Sequence, residues 1–279
     1  MSLARARRSP PRIASVAVFA LAALGFGTFA ALLASCAPPP PGGLESLEQV
    51  AARGAGRRER RLDAFELQGV LRVAGRATGR LPAVSLHARI ASPDRVRLQC
   101  HWLMGLLADV SLRGDTLTAW MPRERLGIRV PELSDTLGLR DPALFLGRAL
   151  LAAWRAPHEA WQRAVLDSAG ATLEWPEGDE GWTLRVSREG RPQEIRVARG
   201  GRTVTVSYGA WRGRGTAAWP GRIELSDGDG WVQVRVELED LRTTKHPKPA
   251  WYALALPDDA RRLELDDVKR VLSSRNGSP

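Results

Sequence analysis

Apolar and polar residues alternate in short runs over most of this chain, a period of two that is typical of strands with one buried face. The first run covers residues 65–73, and four more follow it before residue 122. Short turn sequences separate the runs, among them Ser-Pro-Asp at 92–94 and Arg-Gly-Asp at 113–115. Because such short connections join antiparallel neighbours, the pattern predicts a meander.

Alternating runs resume between residues 172 and 256, ending with a predicted strand at 251–256. Helical spacing appears instead at 44–62, 144–154, 158–166 and 266–272, although Gly54 and Gly56 could split the first helix. We count about ten or eleven strands with the helices grouped at the start, middle and end. The predicted fold class is α+β: a single large curved antiparallel sheet, or half-open barrel, with helices covering its concave side.

The N-terminus has the composition of a secretory leader. Arginines stand at positions 5, 7, 8 and 12, and residues 13–34 are almost wholly apolar. The tetrad Leu-Ala-Ser-Cys that ends at Cys36 resembles a bacterial lipobox, in which the cysteine is acylated after cleavage. We therefore expect a signal peptide at 1–35, a lipidated Cys36 with a Pro/Gly tether at 36–43, and a folded domain at 44–279. An uncleaved membrane-spanning helix is the alternative.

Charge and cysteine content narrow the class of protein further. The formal net charge is +10, and removal of the four leader arginines would leave +6. Nearly all basic residues are Arg in a chain rich in Ala and Gly, so we attribute the charge to codon bias and expect no nucleic-acid partner. If Cys36 is a thioether, Cys100 has no intrachain partner, and we expect it to be a small buried apolar residue.

We find little in the sequence that points to catalysis. The four histidines, at 87, 101, 158 and 246, lack the spacing of a metal site. The motifs of serine hydrolases and of nucleotide-binding loops are absent from the sequence. We therefore expect a protein that is not an enzyme and that has no cofactor or metal.

One apolar run interrupts the alternation where a polar turn is expected. It comprises Trp102, Leu103, Met104, Gly105, Leu106 and Leu107, between two alternating strands. Two interpretations are open: the residues continue a buried strand, or they form an exposed tip that contacts a membrane or a partner. The ten tryptophans leave a similar choice, since they could fill the core or line a cavity for acyl chains.

Four stretches together resemble the outer-membrane lipoprotein receptor family LolB and its soluble relative, the periplasmic lipoprotein carrier LolA. The first is the lipobox, and the second is the pair of strands with an apolar loop at 92–115. The third is the helical segment 144–154, and the fourth is the sequence Trp-Pro-Gly-Arg-Ile-Glu-Leu at 219–225 with the strand that follows. The segment 249–257 is similar to the closing strand of the carrier.

The resemblance implies a function without catalysis. The protein would be held by acylated Cys36 to the periplasmic face of the outer membrane of a Gram-negative bacterium, as a monomer. It would bind the acyl chains of lipidated cargo proteins, receive them from a periplasmic carrier protein and help to insert them into the membrane. Leu103, Met104, Leu106 and Leu107 would form the cargo-transfer loop. The alternative is an envelope assembly or structural lipoprotein of the same fold that binds a protein or glycolipid partner.

Overall fold

The computed structural model of the chain describes residues 43–75, 82–91, 94–103, 105–134, 139–228 and 232–263. Several predictions lie outside these residues: the signal peptide at 1–35, Cys36 and its tether as far as residue 42, Met104, and the helix at 266–272.

Within the described residues, fourteen strands form one open sheet, in the order β14-β6-β5-β4-β3-β2-β1-β13-β12-β11-β10-β9-β8-β7. All neighbouring strands are antiparallel except β14 and β6, which are parallel. The strands are β1 (Phe65–Ala74), β2 (Val84–Ala91), β3 (Arg95–Trp102), β4 (Gly105–Arg113), β5 (Thr116–Met121), β6 (Leu126–Val130), β7 (Val165–Leu166), β8 (Gly170–Glu177), β9 (Glu180–Ser187), β10 (Pro192–Arg199), β11 (Arg202–Gly209), β12 (Arg222–Asp227), β13 (Gln233–Thr243) and β14 (Arg261–Leu263).

The sheet consists of two meanders, β1–β6 and β7–β13, which are joined by the pairing of β1 with β13 over the full length of β1. The register shifts by one residue between Gln68 and Gly69. A side chain at position 69 would place its Cβ 2.3 Å from the carbonyl oxygen of Glu237. Glycine at this position therefore allows the two meanders to approach closely enough to form one sheet.

The apolar face of the sheet is packed against helices α1 (Gly43–Glu59), α2 (Pro142–Leu151) and α3 (His158–Gln162). Helix α1 buries Leu47, Ala51 and Ala55, which lie four residues apart on one face, and Gly54 and Gly56 do not interrupt it. Helix α2 is buried on most sides and belongs to the same apolar cluster as the sheet residues Phe65, Ile90 and Ile195. Two 3-10 helices occupy Gly215–Ala217 and Pro249–Tyr252.

The predicted fold class is confirmed: a large curved, mostly antiparallel sheet with helices on its apolar face. The sheet has more strands than the ten or eleven expected. The edge strands β7 and β14 are too short to show alternation, and β6, in which Leu126, Ile128 and Val130 alternate with Gly127 and Arg129, was not predicted. None of the helices in the described ranges is both long enough and apolar enough to cross a membrane.

Two local predictions were wrong. The expected helix at 158–166 ends at Gln162, because Val165 and Leu166 pair with β8 as strand β7. The segment 251–256 is not a strand, and it begins within the second 3-10 helix. Its carbonyl groups bind side chains instead of a neighbouring strand: Arg97 donates to Trp251 and Ala253, and Ser111 donates to Tyr252. The segment thereby crosses the polar face of β3 and β4.

Candidate functional site

The hairpin between β3 and β4 carries an exposed apolar tip, which we define as Trp102 and Leu103. Trp102 pairs with Gly105, so that only residues 103 and 104 connect the two strands. The side chain of Leu103 is 85% exposed and that of Trp102 is 38% exposed. Exposed apolar side chains next to each other at the end of a hairpin are typical of a contact surface.

The backbone of Leu103 is in the left-handed region, with φ of 48°. Two-residue hairpin turns use positive φ angles, and Asn or Gly adopts them at little cost. For a leucine the same conformation costs roughly 1 kcal/mol, and its exposed side chain recovers nothing from burial. Stability alone therefore does not explain a leucine at this position.

The residues predicted for the cargo-transfer loop differ in how exposed they are. Leu103 is exposed, whereas Leu106 and Leu107 on β4 are half-buried, and Met104 lies outside the described residues. A register shift beside His101 brings Leu106 opposite that histidine. Leu103 is therefore not part of a buried strand. Leu106 and Leu107 do lie in a strand, but they are only half-buried.

A second candidate site is a cleft of about 490 Å³ between helices α1 and α3 and strands β8–β10, which we call the helix–sheet cleft. Its walls are apolar because two alanines of α1 leave space opposite large side chains of the segment after α2 and of the sheet. The apolar lining consists of Ala51, Ala52, Trp154, Ala156, Trp161, Trp175, Leu184 and Val186.

The mouth of the helix–sheet cleft is polar. Glu48 on α1 and His158 at the start of α3 both line it, and His158 Nδ1 lies 2.8 Å from a carboxylate oxygen of Glu48. The hydrogen bond to Glu48, reinforced by its charge, raises the pKa of His158 above its ordinary value. This pair connects the two helices that border the cleft.

We expect the imidazole of His158 to titrate above 6.5, the ordinary value for histidine, and to return towards it in Glu48→Gln. Because the folded-state pKa is raised, the stabilisation is fully present below the unfolded pKa and is lost as the pH rises through the folded pKa. NMR titration of the His158 ring protons measures both midpoints. Glu45→Gln, which removes a charge from the same helix, serves as the control, and equal midpoints in all three proteins would contradict the assignment.

The interior beside the cleft is filled by aromatic rings. The ring centroids of Phe145 and Trp154 are 5.3 Å apart, those of Trp154 and Trp182 are 5.8 Å apart, and Trp175 stacks on Trp182 at 5.9 Å. Trp154 Nε1 donates a hydrogen bond to the hydroxyl of Tyr208, and burial raises the pKa of Tyr208. We call Phe145, Trp154, Trp175, Trp182 and Tyr208 the aromatic cluster; Trp154 and Trp175 also line the helix–sheet cleft.

Cys100 offers no reactive thiolate. It lies half-buried on β3, and burial, followed by the charge of Asp109, raises the pKa of its thiol to about 11. A thiol with this pKa is protonated at neutral pH and is a poor nucleophile. Among the residues that the structure describes, no group of three or more His, Cys, Asp or Glu side chains could hold a metal ion.

The sequence left open whether the tryptophans fill the core or line a cavity. Trp154, Trp161 and Trp175 belong to the buried core and also line the cleft. It did not identify Ala51 and Ala52 as part of that cavity. The available signal was the number of small residues in α1, among them Ala51, Ala52, Gly54 and Ala55, but which strands lie opposite them depends on the tertiary fold.

No protein-family model matches the chain, and no curated protein matches it in sequence. Its structure is similar to that of a LolA superfamily protein from Nitrosomonas europaea, at 15% identity and a TM-score of 0.49, covering 76% of this chain and 97% of that one. A domain described as an outer membrane lipoprotein-sorting protein, from Vibrio parahaemolyticus, has 8% identity and a TM-score of 0.44, with 74% and 97% covered. The lipoprotein LppX from Mycobacterium tuberculosis has 10% identity and a TM-score of 0.31, with 72% and 98% covered. These likenesses assign the chain to no family.

Proposed function

We propose that this protein is a lipid-anchored lipoprotein of the bacterial outer membrane, held by acylated Cys36, that binds acyl chains of other lipoproteins and helps to insert them into the membrane. The observation that carries the proposal is the exposed Leu103 in a backbone conformation that favours other residues. The lipobox-like sequence at Cys36 supports the proposed place of action, and the short Pro/Gly segment after it would keep the folded domain near the bilayer.

The apolar tip would act at the membrane surface. Burying a leucine side chain in an apolar environment contributes about 1.5–3 kcal/mol, and Trp102 next to it suits the interface between headgroups and acyl chains. These contributions are too small to anchor a protein permanently. They are large enough to bring the domain repeatedly to the bilayer, as delivery of cargo requires.

The helix–sheet cleft would hold the cargo. Its alanine and tryptophan walls can accept a hydrocarbon chain without any specific polar motif, because each buried methylene contributes about 0.8 kcal/mol wherever it is removed from water. A bilayer offers the same methylenes a similar gain. Transfer between the cleft and the membrane is therefore nearly balanced in free energy, and small differences decide its direction.

Transfer of an acylated peptide tests the proposal. The purified full chain is loaded with a fluorescent peptide that carries a triacylated cysteine, and vesicles of phosphatidylethanolamine and phosphatidylglycerol are added. We expect Leu103→Glu to lower the transfer rate about tenfold, because a carboxylate at the tip opposes insertion into the bilayer. The rate is measured from the change in fluorescence when the peptide enters the vesicles.

Val165→Glu is the matched control, since Val165 is 68% exposed on the edge strand β7 and the substitution adds the same charge. It should change the transfer rate by less than about twofold, as expected for a surface substitution away from the site. Normal transfer by Leu103→Glu, or an equal loss in both variants, would contradict the proposed role of the tip.

The aromatic cluster favours a second candidate function, that of an envelope assembly or structural lipoprotein that binds a protein or glycolipid. Rings at 5.3–5.9 Å from one another occupy space that a more voluminous lipid cavity would need. Native mass spectrometry of the full chain distinguishes the candidates. A co-purified lipid that is lost when the cleft is filled supports acyl binding, whereas a lipid-free protein favours the second function.

A further inference from the structure

Arg58, near the end of helix α1, is only 3% exposed, although it carries a full charge. Its Nε donates a 3.0 Å hydrogen bond to the carbonyl of Ala152, the residue that ends helix α2. This hydrogen bond gives Nε a favourable partner, because cations and hydrogen-bond donors are favoured at helix C-termini. The Nη2 nitrogen is buried and has no hydrogen-bond partner among the described residues.

A second arginine faces the same aromatic ring. The guanidinium carbon of Arg58 lies 5.5 Å from the ring centroid of Trp211, and that of Arg191 lies 6.0 Å from it. The Nε of Arg191 is also buried without a partner. Within the described part of the chain, no carboxylate oxygen lies within 4.0 Å of either guanidinium group; Glu189, whose pKa is lowered in part by the charge of Arg191, bonds to Ser187 instead.

The two guanidinium groups repel each other, and neither has an ion-pair partner within 4.0 Å among the described residues, although Arg191 also interacts with the more distant charge of Glu189. Burial lowers the pKa of Arg58 to about 10, and the charges of Arg191 and Arg61 act in the same direction. Tyr208 acts in the opposite direction and raises the pKa of Arg58, although the hydroxyl of this buried tyrosine is neutral at physiological pH. A buried guanidinium with an unused donor is costly unless an anion is near.

We propose that Arg58, Arg191 and Trp211 form a binding site for a phosphate group. Two guanidinium groups with free N–H donors match the charge and the several acceptor oxygens of a phosphate. Trp211 and Arg191 are half-buried, whereas the two unpartnered nitrogens are buried, so a phosphate would reach them when the Arg191 side chain turns outward. The site would add a polar recognition element that neither the apolar tip nor the helix–sheet cleft supplies.

The phosphate site and the apolar tip are separated across the sheet. Through the strand registers, His101 on β3 and Gly209 on β11 both lie level with Val70 of β1. Strands β2, β1, β13 and β12 lie between β3 and β11. At about 4.8 Å between neighbouring strands, β3 and β11 are roughly 24 Å apart along the sheet, so the two sites can act on separate ligands.

Two phosphate sources are distinguished by titrating the full chain with inorganic phosphate and, separately, with dihexanoyl phosphatidylglycerol below its micelle concentration. Dihexanoyl phosphatidylcholine is the zwitterionic control, and thermal stability together with tryptophan fluorescence reports binding. We expect saturable binding that weakens about tenfold in Arg191→Gln, as the loss of one charge-assisted hydrogen bond implies. Binding of inorganic phosphate assigns a free phosphate, and binding of the glycerol lipid alone assigns a headgroup.

Arg212→Gln is the matched control, because Arg212 also faces a tryptophan ring, that of Trp219 at 5.5 Å, and is exposed. It should retain the wild-type affinity. Arg58→Lys keeps the buried charge but removes the planar fork, so it should also weaken binding if it folds; Arg191→Gln carries the test if it does not. Absence of saturable binding by the wild-type chain to either phosphate probe, or equal weakening in Arg191→Gln and Arg212→Gln, would overturn the proposal.

Discussion

Replacing Asp109 with alanine is expected to destabilise the folded protein by about 3 kcal/mol, because it leaves Arg97 largely buried without its counter-ion. Asp109 is 4% exposed and accepts two hydrogen bonds from Arg97, at 2.8 and 2.6 Å, and one from Gln99 at 3.1 Å. The hydrogen bond to Asp109 raises the pKa of Arg97; without this bond the arginine still keeps its charge, because the ordinary pKa of a guanidinium group is far above neutral pH. Urea unfolding followed by circular dichroism measures the loss.

Glu237→Ala provides the comparison. Glu237 binds Arg72 at 2.8 Å, a similar distance, but the two side chains are 41% and 46% exposed. Exposed pairs contribute about 0–1 kcal/mol, so this variant should unfold at nearly the wild-type urea concentration. If Asp109→Ala lowers the free energy of unfolding no more than Glu237→Ala does, water replaces the missing carboxylate and the prediction is wrong.

The same ion pair connects the sheet to the segment that follows the 3-10 helix at Pro249–Tyr252. Arg97 Nη1 donates to the carbonyl of Ala253 at 2.6 Å while its other nitrogens bind Asp109. Removal of Asp109 should therefore also loosen this segment. We expect faster hydrogen exchange near residue 253 in Asp109→Ala than in Glu237→Ala, as an effect local to the covered face of the sheet.

Strand alternation was sufficient to predict most of the sheet, because every second side chain of a strand with one buried face is apolar. It failed at 251–256, where Tyr252, Leu254 and Leu256 alternate as a strand would. The backbone there is satisfied by Arg97 and Ser111, which lie far away in the sequence. No local pattern can show that two side chains, rather than a strand, will bind these carbonyl groups.

Strand β6 illustrates the opposite failure. Its five residues include Gly127, which normally weakens a strand. A Cβ at this position would lie 2.8 Å from Leu256, so the glycine makes room for a side chain from the C-terminal segment. Leu126, Ile128 and Val130 alternate as in a strand, and the packing against Leu256 shows why a glycine lies between them.

One candidate site could be predicted from the sequence and another could not. The tip was predictable because Trp102 and Leu103 are apolar where a polar turn is expected. The phosphate site was not, because Arg58 is one of several arginines at the end of a helix, where basic residues are usually exposed. Its burial depends on Gly54, which leaves space one turn earlier for the guanidinium group, 3.3 Å from where a Cβ would be.

Filling the helix–sheet cleft should abolish most acyl binding if the proposed function is correct. Ala52 lies on α1, lines the cleft and is half-buried, so that a tryptophan there would enter the open space. If the new ring displaces about four methylenes, each worth about 0.8 kcal/mol, Ala52→Trp should bind a fluorescent triacylated peptide about a hundredfold more weakly. A fluorescence titration of the purified full chain measures the dissociation constant.

Gln49→Trp is the control, since Gln49 is exposed on the same helix and does not line the cleft. It should bind the peptide as the wild type does, which shows that an added tryptophan on α1 is harmless in itself. Unchanged affinity in Ala52→Trp would place acyl chains elsewhere or exclude them. Because the aromatic cluster already fills the neighbouring interior, that result would shift the balance towards the assembly function, with the tip and the phosphate site as its remaining contact surfaces.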